Sequence, residues 1–204
     1  MPSNPANAAT HPRPVRVRVW DPALRAYHWL LAAAVTVTWL LGQFGPASMT
    51  LHFWLGYSIL GLLAFRLVWG LAGPAPARFA SFVRGPGATL RYARGIFVRQ
   101  PSLTAGHNPL GALSAVAMIA VLAMQGVTGL FVDPDDYINV GPLAGSVDAA
   151  TRKLAIRLHH LGATLAVVLV GLHVAAILFY RVWKREDLVR PMLTGWKLVR
   201  PPRD

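Results

Sequence analysis

Seven histidines and no cysteine bound the chemistry open to this chain of 204 residues. Without thiolates there is no disulfide, no iron–sulfur cluster, no thiolate zinc site and no Cys-x-x-Cys-His for covalent haem. A metal cofactor must be held by His, Met, Asp or Glu. The histidines are His11, His28, His52, His107, His159, His160 and His173. His159 and His173 lie 14 residues apart. On one helix that is almost four turns, so both point to nearly the same face, about 21 Å apart along the axis. His160 is turned about 100° from His159 and stands as the alternative ligand at that level.

The elements that must position these rings are membrane spans. Hydrophobic residues make up 54% of the chain and charged ones 14%, where a soluble domain carries nearer a quarter charged. The apolar residues come in four blocks of about the 20 residues needed to cross a bilayer. They run from about Tyr27 to Phe44, Leu51 to Leu71, Pro109 to Val132, and Thr151 to Val182. The first is too long for a signal-peptide core and is expected to be retained. Asp21-Pro22 is a helix start signal, with Asp as cap and Pro in the first turn. The expected architecture is all-α, an integral membrane four-helix bundle over residues 21–184. It is flanked by a disordered tail over 1–20 and a basic tail over 185–204.

Charge orients the bundle. Sixteen of the twenty Lys and Arg residues fall in the N-terminal tail, the loop between spans two and three, and the C-terminal tail. The opposite side holds Asp133, Asp135, Asp136 and Asp148, with only Arg152 and Lys153 nearby. Basic residues mark the cytoplasmic side, so both termini are expected there. The same topology accounts for a net charge of +12 without nucleic acid. With that orientation His28 and His173 meet near the cytoplasmic face, and His52 and His159 near the outer face. Each level offers two imidazoles from different helices. Zinc wants three or four ligands at one depth; haem supplies four nitrogens itself and needs only two axial ligands. The depths therefore point to two non-covalent haems b.

Other polar residues inside or beside the spans fit the same reading. Arg66 lies 14 residues after His52, toward the inner end of span two, where it either meets a haem propionate or snorkels to the interface. His107, before span three, is a second propionate candidate. Gly56, Gly61, Gly126, Gly129, Gly162 and Gly171 leave room for a macrocycle or allow close helix packing. Gln125 is a polar residue placed to line a cavity, while Met49, Met118 and Met124 read as packing. Between Arg78 and Gln100, Arg alternates with Phe79, Phe82, Tyr92 and Phe97, and the second half suits a helix lying in the membrane interface.

Four segments resemble the bacterial cytochrome b561 family, which includes the b-type cytochrome subunits of nickel–iron hydrogenases. They are Val19-Trp20-Asp21-Pro22 with Tyr27-His28-Trp29; Leu51-His52 through Leu55-Gly56-Tyr57 and Phe65-Arg66-Leu67-Val68-Trp69-Gly70; Gly106-His107-Asn108-Pro109-Leu110-Gly111-Ala112; and Leu158-His159 with Leu172-His173, Leu188-Val189-Arg190 and Thr194-Gly195. The resemblance covers about Val19 to Lys197. It implies four helices, two haems b and the pairing His28/His173 and His52/His159. It further implies a multi-pass protein of the bacterial inner membrane. Relatives of this kind serve hydrogenases, formate dehydrogenases or cytochromes c, or act alone on quinones and superoxide.

The expected function is transmembrane electron transfer between a periplasmic redox protein (a hydrogenase, a dehydrogenase or a cytochrome c) and the quinone pool. Two rivals follow from the same residues. A superoxide:quinone oxidoreductase would use a cationic outer pocket of Arg152, Lys153 and Arg157. A non-redox haem carrier or membrane anchor would not be reversibly reduced by quinol.

Overall fold

The helix starts are set by three short polar side chains. Asp21 accepts the Leu24 amide at 3.0 Å with Pro22 in the first turn. Asn108 accepts the Gly111 amide at 2.8 Å, and Asp148 accepts that of Thr151 at 2.7 Å. Each satisfies an amide that the helix itself leaves unpaired, a cap worth about 1 kcal/mol. The computed structural model describes residues 14–46, 49–102, 106–135 and 137–199. In chain order the elements are β1 (Val15–Arg18), α1 (Pro22–Phe44), α2 (Thr50–Ala72), α3 (Phe79–Phe82), α4 (Pro86–Arg94), α5 (Pro109–Gly129), α6 (Ala149–Val182), α7 (Val189–Thr194) and β2 (Trp196–Val199), with single 3₁₀ turns at Ala75–Ala77 and Ala144–Ser146. The helices α1, α2, α5 and α6 are long and apolar enough to cross a membrane, and they match the four expected spans.

α1 packs on α2, α5 on α6, and α2 joins the two hairpins through α5. Ala34, Ile59, Leu63 and Leu122 form the core at mid-bundle. The outer faces carry exposed Leu30, Val37, Leu40, Leu67, Val68 and Leu172, side chains that suit a lipid solvent. α6 extends beyond the length a span needs, as the sequence implies.

One difference from the sequence expectation lies at the termini. Residues 1–13 fall outside the described residues, but 14–20 are not a disordered tail. β1 pairs antiparallel with β2, Val15 opposite Val199 and Arg18 opposite Trp196, which brings both chain ends to one end of the bundle. Val19 and Trp20 are buried beneath this ribbon with Leu24, Tyr27 and Ala77. The Val19 and Trp20 amides both donate to the Gly195 carbonyl, at 2.9 and 3.3 Å. Gly195 has φ +85°, and a Cβ there would stand 2.7 Å from the Trp20 carbonyl oxygen, so glycine is required. The Pro, Asn and Ala content of the first 20 residues suggests disorder; the partner strand, some 180 residues away, leaves no local sign.

A buried ion pair holds the ribbon down. Lys197 Nζ lies 2.8 Å from Glu186 Oε1, and the Ser102 amide donates to Glu186 Oε2 at 2.7 Å. Burial pushes the Glu186 carboxyl up, but the Lys197 and Ser102 bonds outweigh it and hold the group below its ordinary 4.5. A carboxylate with a depressed folded value contributes stability at pH above the unfolded value, lost as pH falls through the folded one. Ribbon opening is therefore expected below about pH 4.5. Lys197→Met strands the carboxylate at a cost of about 3 kcal/mol. Amide exchange over residues 15–18 and 196–199 should rise on the order of 100-fold, with α5 and α6 unchanged, by hydrogen–deuterium exchange at neutral pH.

Candidate functional site

The bundle brings together two pairs of the predicted histidines. At the end carrying the termini, His28 of α1 and His173 of α6 face each other with ring centroids 6.4 Å apart and planes at 54°. At the far end, His52 of α2 and His159 of α6 stand 6.2 Å apart at 63°. Between His159 and His160, it is His159 that meets His52. His160 is exposed.

The far-end rings are aimed by backbone. His52 Nδ1 lies 3.0 Å from the Thr38 carbonyl of α1, and His159 Nδ1 lies 3.0 Å from the Gln125 carbonyl of α5. A carbonyl only accepts, so in each ring Nδ1 carries the proton and donates it, leaving Nε2 with a free lone pair. Metal-binding imidazoles are held by this kind of outer bond. The two carbonyls are reached in the same way. Four residues on from Thr38 is Gly42, and a Cβ there would meet His52 Cε1 at 3.4 Å. Four residues on from Gln125 is Gly129, where a Cβ would meet His159 Cε1 at 3.1 Å. In a helix that fourth residue lies over the carbonyl, so a bare backbone at this position lets the ring approach.

Thr128 adds a second acceptor. Its hydroxyl donates to the Met124 carbonyl at 2.7 Å, which leaves an oxygen lone pair 3.3 Å from His159 Nδ1. A donated proton shared by two oxygens makes the ring a better electron donor to a metal. Thr128→Val should raise the midpoint potential of a centre bound at His159 by roughly 20–65 mV, the one-electron equivalent of 0.5–1.5 kcal/mol. Thr128→Ser should restore it, and a centre bound between His28 and His173 should not move in a spectroelectrochemical titration.

At the terminal end, Arg66 and His107 come together beside the His28/His173 pair. Arg66 is 4% exposed, with its guanidinium over Phe79 at 4.4 Å and Phe82 at 5.8 Å. It is buried against aromatic rings and does not snorkel outward. The His107 ring sits edge-on to Trp20 at 4.9 Å and against Phe82 at 4.8 Å. Burial first, then the positive potential of Arg66, His173, His28 and Lys197, lowers His107 to about 4, so the ring is neutral at pH 7. Arg66 Nη1 and His107 Nδ1 are both buried without a hydrogen-bond partner among the described residues. Two unpaired nitrogens at one level are a place for an anion or acceptor that the polypeptide does not supply. The surrounding motif residues build this corner. Asp21 Oδ2 accepts from Trp69 Nε1 at 3.2 Å, and a Cβ at Gly70 would overlap the Phe79 ring at 2.0 Å.

Between His52 and His159 lies a cavity of about 350 Å³, lined among others by Gly42, Gly56, Gln125, Gly126 and Gly129. No group lies within 4 Å of a Cβ at Gly56, so this glycine opens onto space. Gly126 and Gly162 instead pack, against Leu60 and Gln125.

The family model for prokaryotic cytochrome b561 matches residues 19–195. The chain belongs to the prokaryotic cytochrome b561 family. It is similar to a probable Ni/Fe-hydrogenase B-type cytochrome subunit of Rhizobium leguminosarum bv. viciae, 24% identical over 92% of this chain and 91% of that protein. The proteins of the same description from Azotobacter vinelandii and Azotobacter chroococcum mcd 1 are 27% and 26% identical, over 92% of this chain and 90% of each. No solved structure matches at a significant level. Membership makes this a multi-pass bacterial membrane protein of electron transfer, with haem b as its cofactor.

For a b561 cytochrome, several supporting residues carry no sequence signal. Thr38, Gly42 and Thr128 act through a carbonyl, a missing methyl and a lone pair. Phe79 and Phe82 give no sign of stacking on Arg66, because that partner comes from another element. Arg152 also differs from expectation. It pairs with Asp133 at 3.5 Å and donates to the Ala144 and Val147 carbonyls. It closes the far-end loop, which leaves Lys153 and Arg157 as the exposed cations there.

Proposed function

We propose that the chain holds two haems b, one between His28 and His173 and one between His52 and His159, and carries electrons across the bilayer between a periplasmic redox partner and the quinone pool. The observation that carries this reading is the spacing of the paired rings. Two metal–nitrogen bonds of about 2.0 Å and two ring half-widths of about 1.1 Å come to roughly 6.2 Å. The pairs stand 6.4 and 6.2 Å apart. Bound haem supplies a one-electron ferric/ferrous couple. The chain's residues do the rest. Thr38 and Gln125 carbonyls turn Nε2 of His52 and His159 inward. Arg66 and His107 offer donors to the propionates of the haem near the termini. A haem held between two imidazoles in this way would have no open position for oxygen, which suits electron transfer.

The excess of Lys and Arg on the terminal side supports placing both termini in the cytoplasm of an inner-membrane protein. The His52/His159 level then faces the periplasm. The names of the similar proteins support a hydrogenase as the partner there. Purified chain in mild detergent should contain two haems by pyridine haemochrome, both low-spin and both reduced by quinol. A single haem, or two that quinol cannot reduce, overturns the proposal.

A further inference from the structure

We infer that the groove between α4 and α5 is a binding site for one anionic phospholipid, its acyl chain in the groove and its phosphate on Arg84 at the groove mouth. The groove has a volume of about 430 Å³ and lies apart from both histidine pairs. Its walls are two facing stripes at helical spacing. Pro86, Leu90 and Ala93 come from α4, and Pro109, Leu113 and Val116 from the first two turns of α5. Leu90 is 55% and Leu113 59% exposed, so the apolar walls are uncovered by protein. α4 is fixed from its other side, where Tyr92 OH meets Tyr180 OH of α6 at 2.5 Å. The gap is therefore held open by a hydrogen bond to a third helix and does not close by α4 collapsing onto α5.

The depth of the groove selects a lipid. One wall is the start of a membrane span, where water is scarce and an apolar hollow is filled by hydrocarbon. The charge at its rim selects an anionic one. Arg84 lines the groove, and Arg91 and Arg94 are exposed on α4. Residues 73–108 contain five Arg and no Asp or Glu, so no carboxylate of this connection competes for them. Arg84 spends one nitrogen on the Ser81 carbonyl at 3.1 Å, which holds its side chain at the groove mouth with other N–H groups free to donate. A zwitterionic headgroup answers this rim poorly, because its own cation faces Arg84 with no carboxylate of the connection beside it. A neutral isoprenoid quinone fills the groove but leaves the arginines without an anion.

The experiment is native mass spectrometry of the full-length protein in detergent, titrated with phosphatidylglycerol and with phosphatidylcholine of the same chains. One phosphatidylglycerol should be retained in strong preference to phosphatidylcholine. Arg84→Gln should weaken that preference about fivefold, the effect of one basic residue near a membrane anion. Arg157→Gln, exposed at the opposite end of the bundle, should leave it unchanged. Leu113→Trp, which fills the groove from an exposed position, should reduce retention of both lipids while circular dichroism and melting stay as in the parent. Equal retention of the two lipids overturns the proposal. So does a phosphatidylglycerol preference indifferent to Arg84, displacement by inorganic phosphate alone, or displacement by a neutral quinone.

Discussion

Chains carrying His52→Ala or His159→Ala should each bind one haem, and the double variant should bind the same one. His28→Ala and His173→Ala should likewise each lose a single haem, the other one. The pairs are about 21 Å apart along α6, too far for one site to compensate for the other. The spectra should therefore sort into two groups by level and not by helix, although α6 contributes a ligand to both. On the proposed ligation, loss of one imidazole would remove a metal bond and, at the far end, enlarge the cavity between His52 and His159. Apparent haem affinity should fall at least 100-fold, the upper range for disturbing even an outer partner of a metal ligand. His160→Ala is the control. It is exposed, and His159 is the ring that faces His52, so both haems should remain. A His160→Ala protein with one haem, beside a His159→Ala protein with two, would reassign the far-end ligand and place a kink or register shift in α6.

The spans were legible in the sequence because lipid imposes a simple rule. About 20 apolar residues between polar breaks make a helix, and the four breaks here carry Asp-Pro, Gly-Pro or Asn-Pro at their edges. The histidine pairs were legible because depth along a helix is arithmetic once the direction of each span is known. What aims the rings was not. Gly42 and Gly129 differ from Gly126 and Gly162 only in what the neighbouring helix presents, and rotation of one helix against another is not written in either helix alone. The ribbon was missed for a related reason. Val15–Arg18 is four residues long, and a strand that short forms only because Gly195 turns the far end of the chain onto it. Asp21-Pro22 and Asn108-Pro109 read as helix starts, and they are. That Asp21 also ties α2 through Trp69, and Asn108 ties α6 through Tyr180 at 3.0 Å, follows only from the packed bundle.

Arg66→Leu should lower the midpoint potential of the haem proposed at the His28/His173 level by roughly 65–130 mV, the one-electron equivalent of a 1.5–3 kcal/mol charged hydrogen bond. The sign follows from charge. A cation near the iron favours the reduced state, which carries one positive charge fewer, and its removal favours the oxidised state. The expectation rests on three features already given: burial of the guanidinium, its stacking on Phe79 and Phe82, and the unpaired Nη1. An arginine in a membrane span at 4% exposure is costly to hold unless an anion meets it. The nearest protein groups of opposite tendency, Tyr27 and Asp21, do not bond to it among the described residues. Arg66→Lys separates charge from shape. The ammonium keeps the charge but lacks the planar fork that stacks on aromatic rings and reaches an acceptor side-on, so it should restore only part of the potential. His107→Phe keeps the packing between Trp20 and Phe82 and removes the second donor; its effect should be smaller, because the ring is neutral. In all three variants the His52/His159 haem should keep its potential. Equal shifts at both haems would mean that Arg66 supports the fold of α2 and not a propionate. An unchanged potential in Arg66→Leu would mean that its anion lies elsewhere, with Asp21 as the first place to look.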